Sequence, residues 1–405
     1  ISYPKNRINV LLLENVHPRA EELFKREGYN VESYKHSFSR DELKELIKNT
    51  TILGIRSKTL IDAELLDNAN RLMTIGAFCI GTDQINLAES AEKGVAVFNA
   101  PYSNTRSVVE LAIGEIIMLI RSVFEKSNKL HQGTWDKSCH GNYEVRGKKL
   151  GIIGYGNIGS QLSILAEAIG MEVYYYDIVD KLPLGNARKC DSMKQLLRKV
   201  DIVSIHVSGE LNNFHLIGEK EFQMMKKGVV FLNLSRGFVV DLAALVKYLQ
   251  NSKIYGAAID VFEKEPKSNS EQFICELQKL PNVILTPHIG GSTVEAQRNI
   301  AEFVPGKIID YINSGNSILS VNFPNIQLPE LHKVHRLIHI HKNIPGMLAQ
   351  INSVLGKYNI NIEGQYLKTT KEIGYAITDI SKGNHQELIR DLRMIPNTIK
   401  FRILY

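Results

Sequence analysis

The sequence predicts an α/β protein: two doubly wound parallel-sheet domains followed by a small ferredoxin-like α+β domain. Three observations carry this. Short β-branched runs alternate with amphipathic stretches up to about residue 98, and a second alternation with six candidate strands opens at Lys149. After residue 330 the order changes to strand, helix, strand, strand, helix, strand.

In the first unit the alternation runs through residues 8–13, 20–27, 31–34, 40–47 and 51–55 and ends near 95–98. Strict alternation of this kind argues for parallel strands joined by crossover helices. A long helical stretch, 108–132, then leads to candidate strands at 149–153, 172–176, 201–207, 229–234, 254–260 and 283–286. Six parallel strands are the size of a complete dinucleotide-binding fold. Residues 322–329 read as a linker because Pro324 and Pro329 disfavour regular structure. Beyond them come a strand at 334–341, a helix at 346–355, strands at 360–367 and 374–380, a helix at 386–394 and a strand at 398–404.

Composition narrows the partners. The 405 residues are 44% hydrophobic and 23% charged, with a formal net charge of +6, which is ordinary globular chemistry. The cations are interleaved with acids, so small anions are favoured over nucleic acid. Cys79, Cys139, Cys190 and Cys275 lie far apart and form no C-x-x-C pair, so neither a disulfide framework nor a zinc site is expected, and a cytoplasmic protein is. The most apolar segment, 108–120, is interrupted by Glu110 and Glu115, too polar for a membrane span. Ile1-Ser2-Tyr3-Pro4 has neither Met nor a signal-like apolar stretch, which reads as a chain lacking a few leading residues and any export signal.

The strongest motif follows the strand at 149–153: Gly154-Tyr155-Gly156-Asn157-Ile158-Gly159, continuing into a helical stretch. Gly154 permits a tight turn, Gly156 lets backbone approach a pyrophosphate, and Gly159 lets helix pack on strand, with phosphate at the helix N-terminus. Asp177 closes the next strand about 20 residues on, where a carboxylate holds ribose hydroxyls. With no Arg immediately after it, Asp177 would repel a 2′-phosphate, so the cofactor is expected to be NAD rather than NADP.

Ligands of open α/β sheets bind beyond the carboxyl ends of the strands. There the sequence places Arg236 after the strand at 229–234, Glu265 after that at 254–260, and His288 after that at 283–286. Taken singly, these are a surface cation, a turn acid and a loop histidine. On one rim beside a nucleotide turn they form a set suited to oxidising a 2-hydroxy acid. Arg236 can clamp a carboxylate, His288 can take the hydroxyl proton, and Glu265 can orient the imidazole and raise its pKa.

These residues resemble the D-isomer-specific 2-hydroxyacid dehydrogenases, in particular the branch acting on D-3-phosphoglycerate. The likeness is carried also by Phe78–Thr82, Asn99–Glu110, Leu182–Asn186, Ser235–Asp241, Gly256–Phe262 and Thr286–Ser292, and it spans essentially the whole chain. It implies catalytic roles for Arg236, Glu265 and His288. It implies NAD contacts from Asn157, Ile158, Asp177, Leu234, Ser235, Arg236, Asp260, His288, Ile289, Gly290 and Gly291.

The resemblance further implies a flavodoxin-like substrate domain at 1–104, completed by 291–325, a Rossmann domain at 105–290, and an ACT regulatory domain at 331–405. Gly290-Gly291 suits a hinge. Substrate phosphate is expected at Arg56 and Lys58, where the family pattern has two arginines and Lys58 loses the bidentate fork. The turn of Cys79, Ile80 and Gly81 is expected at the substrate carboxylate, with Asn104 also at the substrate. His341, Asn343, Asn361 and Ile362 match an effector site for L-serine. His339 and His341 share a strand face but lack a third ligand, so no metal is expected. Trp135 is expected at a subunit interface of a homotetramer. Two alternatives remain open at this level: action on another 2-hydroxy or 2-oxo acid such as 2-oxoglutarate, and a non-catalytic NAD-sensing protein akin to corepressors.

Overall fold

The computed structural model describes residues 4–266, 271–329, 334–382 and 386–404, so the opening Ile1, Ser2 and Tyr3 lie outside the described residues. The chain forms two compact units, Ile1–Pro101 with Gln297–Tyr405, and Tyr102–Ala296.

In the first unit, β1 (Asn9–Leu12), β2 (Asn30–Ser33), β3 (Ile52–Ile55), β4 (Thr74–Ala77) and β5 (Ala96–Phe98) form a parallel sheet in the order β2-β1-β3-β4-β5. The alternation predicted the parallel strands, and the order is the flavodoxin-like one that the resemblance implied. β3 and β4 are buried along their whole length, as central strands covered on both faces must be, whereas β2 is an exposed edge.

The same unit contains the C-terminal sandwich. β13 (Val334–Lys342), β14 (Ile362–Thr369), β15 (Ile373–Ser381) and β16 (Thr398–Leu404) are antiparallel in the order β14-β15-β13-β16, the split-βαβ topology anticipated. Side chains alternate across the sheet. Leu337, Ala376 and Ile380 pack under helices Met347–Lys357 and Gln386–Arg393. Ile338, Ile340, Tyr375 and Ile377 face the other way and join the core of the first sheet, with Ile308, Tyr311 and Phe323.

Residues 322–329 are therefore not a loose tether. Asn322 stitches them to β5, accepting from Val97 N at 2.8 Å and donating to Val95 O at 2.9 Å, while Phe323, Ile326 and Leu328 are buried. Prolines exclude a ladder but not packing.

The second unit holds β6 (Lys149–Ile153), β7 (Glu172–Tyr176), β8 (Arg188–Lys189), β9 (Ile202–Ile205), β10 (Val229–Asn233), β11 (Ile254–Ile259) and β12 (Val283–Leu285). Their order, β12-β11-β10-β9-β6-β7-β8, is that of the Rossmann fold, with the reversal between β6 and β9. The sheet has a seventh strand, because the polar pair Arg188–Lys189, too short to show a period, hydrogen-bonds to β7. The predicted helix over 108–132 is two helices, Thr105–Ile120 and Val123–His131. Ser122 breaks it with a left-handed φ of 49°, its Oγ held 2.8 Å from the Tyr255 hydroxyl. A tertiary partner imposes this break, and no Gly or Pro announces it. Among the described residues no helix is long and apolar enough to cross a membrane.

Candidate active site

The turn after β6 has the steric logic read from the motif. Gly154 takes φ +91°, and a Cβ there would lie 2.5 Å from His206 O. At Gly159 a Cβ would sit 2.3 Å from Gly154 O, so helix Asn157–Ala168 packs on the turn only because no side chain intervenes. Gly156 caps that helix without a side-chain bond and faces open space. Here a phosphate can approach the free amides of the first turn, where Asn157 and Ile158 lie. Asp177 is tied to the same turn, accepting from Tyr155 N at 2.7 Å and Val179 N at 2.8 Å, and its remaining lone pairs are available to hydroxyls. This cradle fits a dinucleotide.

Three strand ends deliver the other groups. After β10, buried Asn233 accepts from Ser235 N at 3.1 Å and donates to Arg236 O at 3.0 Å. Its side chain thus shapes the turn that presents Arg236, while Leu234 and Ser235 are themselves buried. Arg236 Nη1 donates to Ser235 O at 2.9 Å. After β11, Glu265 Oε1 accepts from Phe262 N at 3.2 Å. After β12, His288 takes a left-handed φ of 54°, uncommon for a residue with a side chain.

The loop carrying His288 is held by Asp260, which is 2% exposed. Its carboxylate accepts from Thr286 Oγ1 at 2.6 Å, Ile289 N at 2.8 Å and Gly290 N at 2.8 Å. Asp260, read from sequence as a cofactor contact, anchors this loop. Gly290 and Gly291, read as a hinge, are required by space: a Cβ would meet Asp260 Oδ2 at 2.9 Å and Asn104 Nδ2 at 2.1 Å respectively. Asn104 Oδ1 is buried without a partner among the described residues.

His288 Nδ1 lies 3.0 and 2.9 Å from the two Glu265 oxygens. That bond, with the Glu265 and Asp260 charges, raises the imidazole pKa despite burial and the opposing charge of Arg236. Burial alone would raise the Glu265 pKa, but His288, the Phe262 amide and Arg236 lower it. Nδ1 is thereby fixed as the nitrogen facing the carboxylate, and Nε2 is left free to exchange a proton with a ligand.

In the first unit, Arg56 and Lys58 follow β3, and among the described residues neither forms an ion pair. The turn of Cys79, Ile80 and Gly81 follows β4, with Cys79 Sγ bonded to Gly81 O at 3.1 Å and Ile80 O accepting from Asn99 Nδ2. On the C-terminal sheet, buried His341 Nδ1 donates to Lys342 O at 2.8 Å, its ring lying against Gly374, and Asn343 Nδ2 donates to Thr370 O at 2.8 Å. The strand register puts His341 beside Gly374 and Thr369, but Ile362 beside Ile380 and His335. Six residues of strand, roughly 20 Å, therefore separate His341 from Asn361 and Ile362 within one chain. The structure does not bring these four effector residues together in one copy. Among the described residues no group of His, Cys, Asp and Glu can hold a metal.

Sequence reasoning missed Asn233, Thr286 and Glu115, all polar residues inside apolar runs. Glu115 is fully buried on helix Thr105–Ile120, both oxygens lacking a partner among the described residues, and burial aided by the Asp260 charge raises its pKa to about 8. Its signal was present as the acid that interrupts the most apolar segment.

Residues 113–290 match the NAD binding domain of the D-isomer specific 2-hydroxyacid dehydrogenases, and residues 337–400 match the AHAS small subunit-like ACT domain. The chain is 47% identical over its full length to D-3-phosphoglycerate dehydrogenase of Haemophilus influenzae, covering 99% of that protein. The corresponding enzymes of Dictyostelium discoideum and Escherichia coli are 48% and 46% identical, with the same coverage. Among solved structures, a glyoxylate reductase from Paecilomyes thermophila superposes with a TM-score of 0.70 at 27% identity, over 79% of this chain and 99% of that one. A D-lactate dehydrogenase from Aquifex aeolicus, complexed with NAD and lactic acid, gives 0.68 at 25% identity, over 78% and 100%.

Proposed function

The chain belongs to the D-3-phosphoglycerate dehydrogenases, within the D-isomer-specific 2-hydroxyacid dehydrogenases, and on that premise we propose the reaction and regulation that follow. It oxidises D-3-phosphoglycerate to 3-phosphohydroxypyruvate in the first step of L-serine synthesis in the cytoplasm, and L-serine inhibits it by feedback. The observation that carries the chemistry is the His288–Glu265 pair, on a loop anchored by Asp260 and beside Arg236.

NAD, when bound at the Gly154–Gly159 turn, supplies the hydride acceptor. Arg236 pairs with the substrate carboxylate and orients C2. As the hydride leaves C2, His288 Nε2 accepts the hydroxyl proton, leaving a ketone, and Glu265 stabilises the imidazolium that forms. In the reverse direction the imidazolium returns that proton to the carbonyl oxygen. Arg56 and Lys58 hold the phosphate, the turn at Cys79–Gly81 donates amides to the carboxylate, and Asn104 contributes its unpartnered amide oxygen.

We assign residues 1–104 with 291–325 to substrate binding, 105–290 to NAD and 331–405 to regulation. The strand register supports an effector site built from two copies, with His341 and Asn343 of one chain and Asn361 and Ile362 of another. Trp135, 78% exposed, supports a further subunit contact in a homotetramer.

The test follows NADH absorbance with D-3-phosphoglycerate, other 2-hydroxy acids and 2-oxoglutarate, each with and without L-serine. Preferred, serine-sensitive turnover of D-3-phosphoglycerate is expected, and preference for an unphosphorylated acid overturns the substrate assignment. His288→Ala should reduce turnover by about 100-fold or more with NADH binding nearly intact.

A further inference from the structure

Beneath the turn of Arg56, Ser57 and Lys58 lie two buried polar side chains, Glu14 and Gln84. Glu14 follows the end of β1, where Leu13 N still bonds Gly54 O at 2.8 Å. Glu14 and Asn15 then take φ of 64° and 56°, successive left-handed residues with side chains, a conformation kept only where surroundings demand it. The bend carries the Glu14 carboxylate, 7% exposed, under the neighbouring turn. Oε2 accepts from Lys58 N at 3.0 Å and Oε1 from Thr59 N at 2.8 Å.

Gln84 is the second member. Its Nε2 donates to Arg56 O at 2.5 Å and lies 3.5 Å from Cys79 Sγ, so one buried amide touches both turns expected at the substrate.

We propose that Glu14 and Gln84 are positioning residues, a brace that fixes the Arg56–Lys58 turn at a set spacing from the Cys79–Gly81 turn and so sets selectivity for a phosphorylated three-carbon acid. This rests on the phosphate reading of Arg56 and Lys58. A carboxylate placed under a cationic turn would ordinarily neutralise it. Glu14 instead spends both oxygens on backbone amides and forms no ion pair among the described residues, leaving both cations free for a dianionic phosphate. Those amides, being occupied, cannot bind the phosphate themselves, so binding falls to the side chains whose backbone the brace holds.

The experiment compares wild type, Glu14→Gln, Gln84→Met, Arg56→Ala, Lys58→Ala and the Glu14→Gln/Lys58→Ala double variant. It measures kcat and KM for D-3-phosphoglycerate, competitive inhibition by inorganic phosphate, NADH dissociation by fluorescence, and the thermal midpoint. Glutamine keeps the size of Glu14 but sets a donor against one amide. KM and the phosphate inhibition constant should rise together by about tenfold in Glu14→Gln, with kcat and NADH dissociation within about threefold. In the double variant the two effects should combine less than multiplicatively. An unchanged KM overturns the brace, as does a parallel loss of kcat, NADH affinity and thermal midpoint. If Glu14→Gln does not fold, Gln84→Met decides by the same criteria. A KM unchanged in Arg56→Ala and Lys58→Ala overturns the phosphate reading itself, whatever happens at positions 14 and 84.

Discussion

Substituting Glu115 by glutamine removes an ionisable group from the interior of the NAD-binding unit, where it lies on helix Thr105–Ile120 with both oxygens unpartnered among the described residues and Asp260 nearby. Burial raises its pKa from 4.5 to about 8. The unfolded chain releases this proton near 4.5 and the folded chain holds it to about 8, so the stabilisation is full below the lower value. It is lost progressively as pH rises through that window. At about 1.4 kcal/mol per pH unit, going from about pH 5.5 to about pH 7.5 costs the wild type about 3 kcal/mol through this group alone. For a unit of this size that corresponds to roughly 5–10 °C in thermal midpoint. Far-ultraviolet circular dichroism on heating, at each pH, gives the midpoints. Glu115→Gln carries no titration there, and its midpoint should fall less than that of the wild type by the stated amount. Parallel pH dependences in the two proteins would refute the buried neutral acid.

Glu265→Gln removes the main cause of the raised His288 pKa, so the acid limb of kcat/KM for oxidation should move to lower pH and the maximum should drop; an unmoved limb in a full pH profile speaks against the pair. Gly159→Ala should yield little folded protein, since its Cβ meets backbone at 2.3 Å, whereas Gly156→Ala should fold and lose NAD affinity, as calorimetric titration would show. Equal tolerance at both positions would contradict the roles given to them. Asn361→Ala should weaken serine inhibition while leaving uninhibited turnover near wild type, and an inhibition curve identical to the wild type excludes this residue from the effector site.

Much of this was legible in one dimension because it depends on local chemistry. Period-2 and period-3.6 patterns gave both parallel sheets and the split-βαβ order, and the glycine turn with Asp177 specified a dinucleotide, because its backbone demands are met within one strand-turn-helix. Arg236, Glu265 and His288 were visible as the residues that follow successive strands.

What sequence alone determined is therefore most of the elements and the cofactor cradle, and it marked the candidate reacting groups, since each follows from spacing along the chain. Tertiary structure decided the rest. It made Asp260 an anchor for the His288 loop, broke the helix at Ser122 through Tyr255, and packed the C-terminal sheet into the core of the first one. It also placed Glu14 and Gln84 beneath the Arg56 turn and set His341 and Asn361 at opposite ends of a sheet. The hydrogen bonds behind the loop anchor, the helix break and the placement of Glu14 and Gln84 join residues from 28 to 133 positions apart. A buried polar side chain has no period to betray it, and its meaning lies in the donor it meets only after folding.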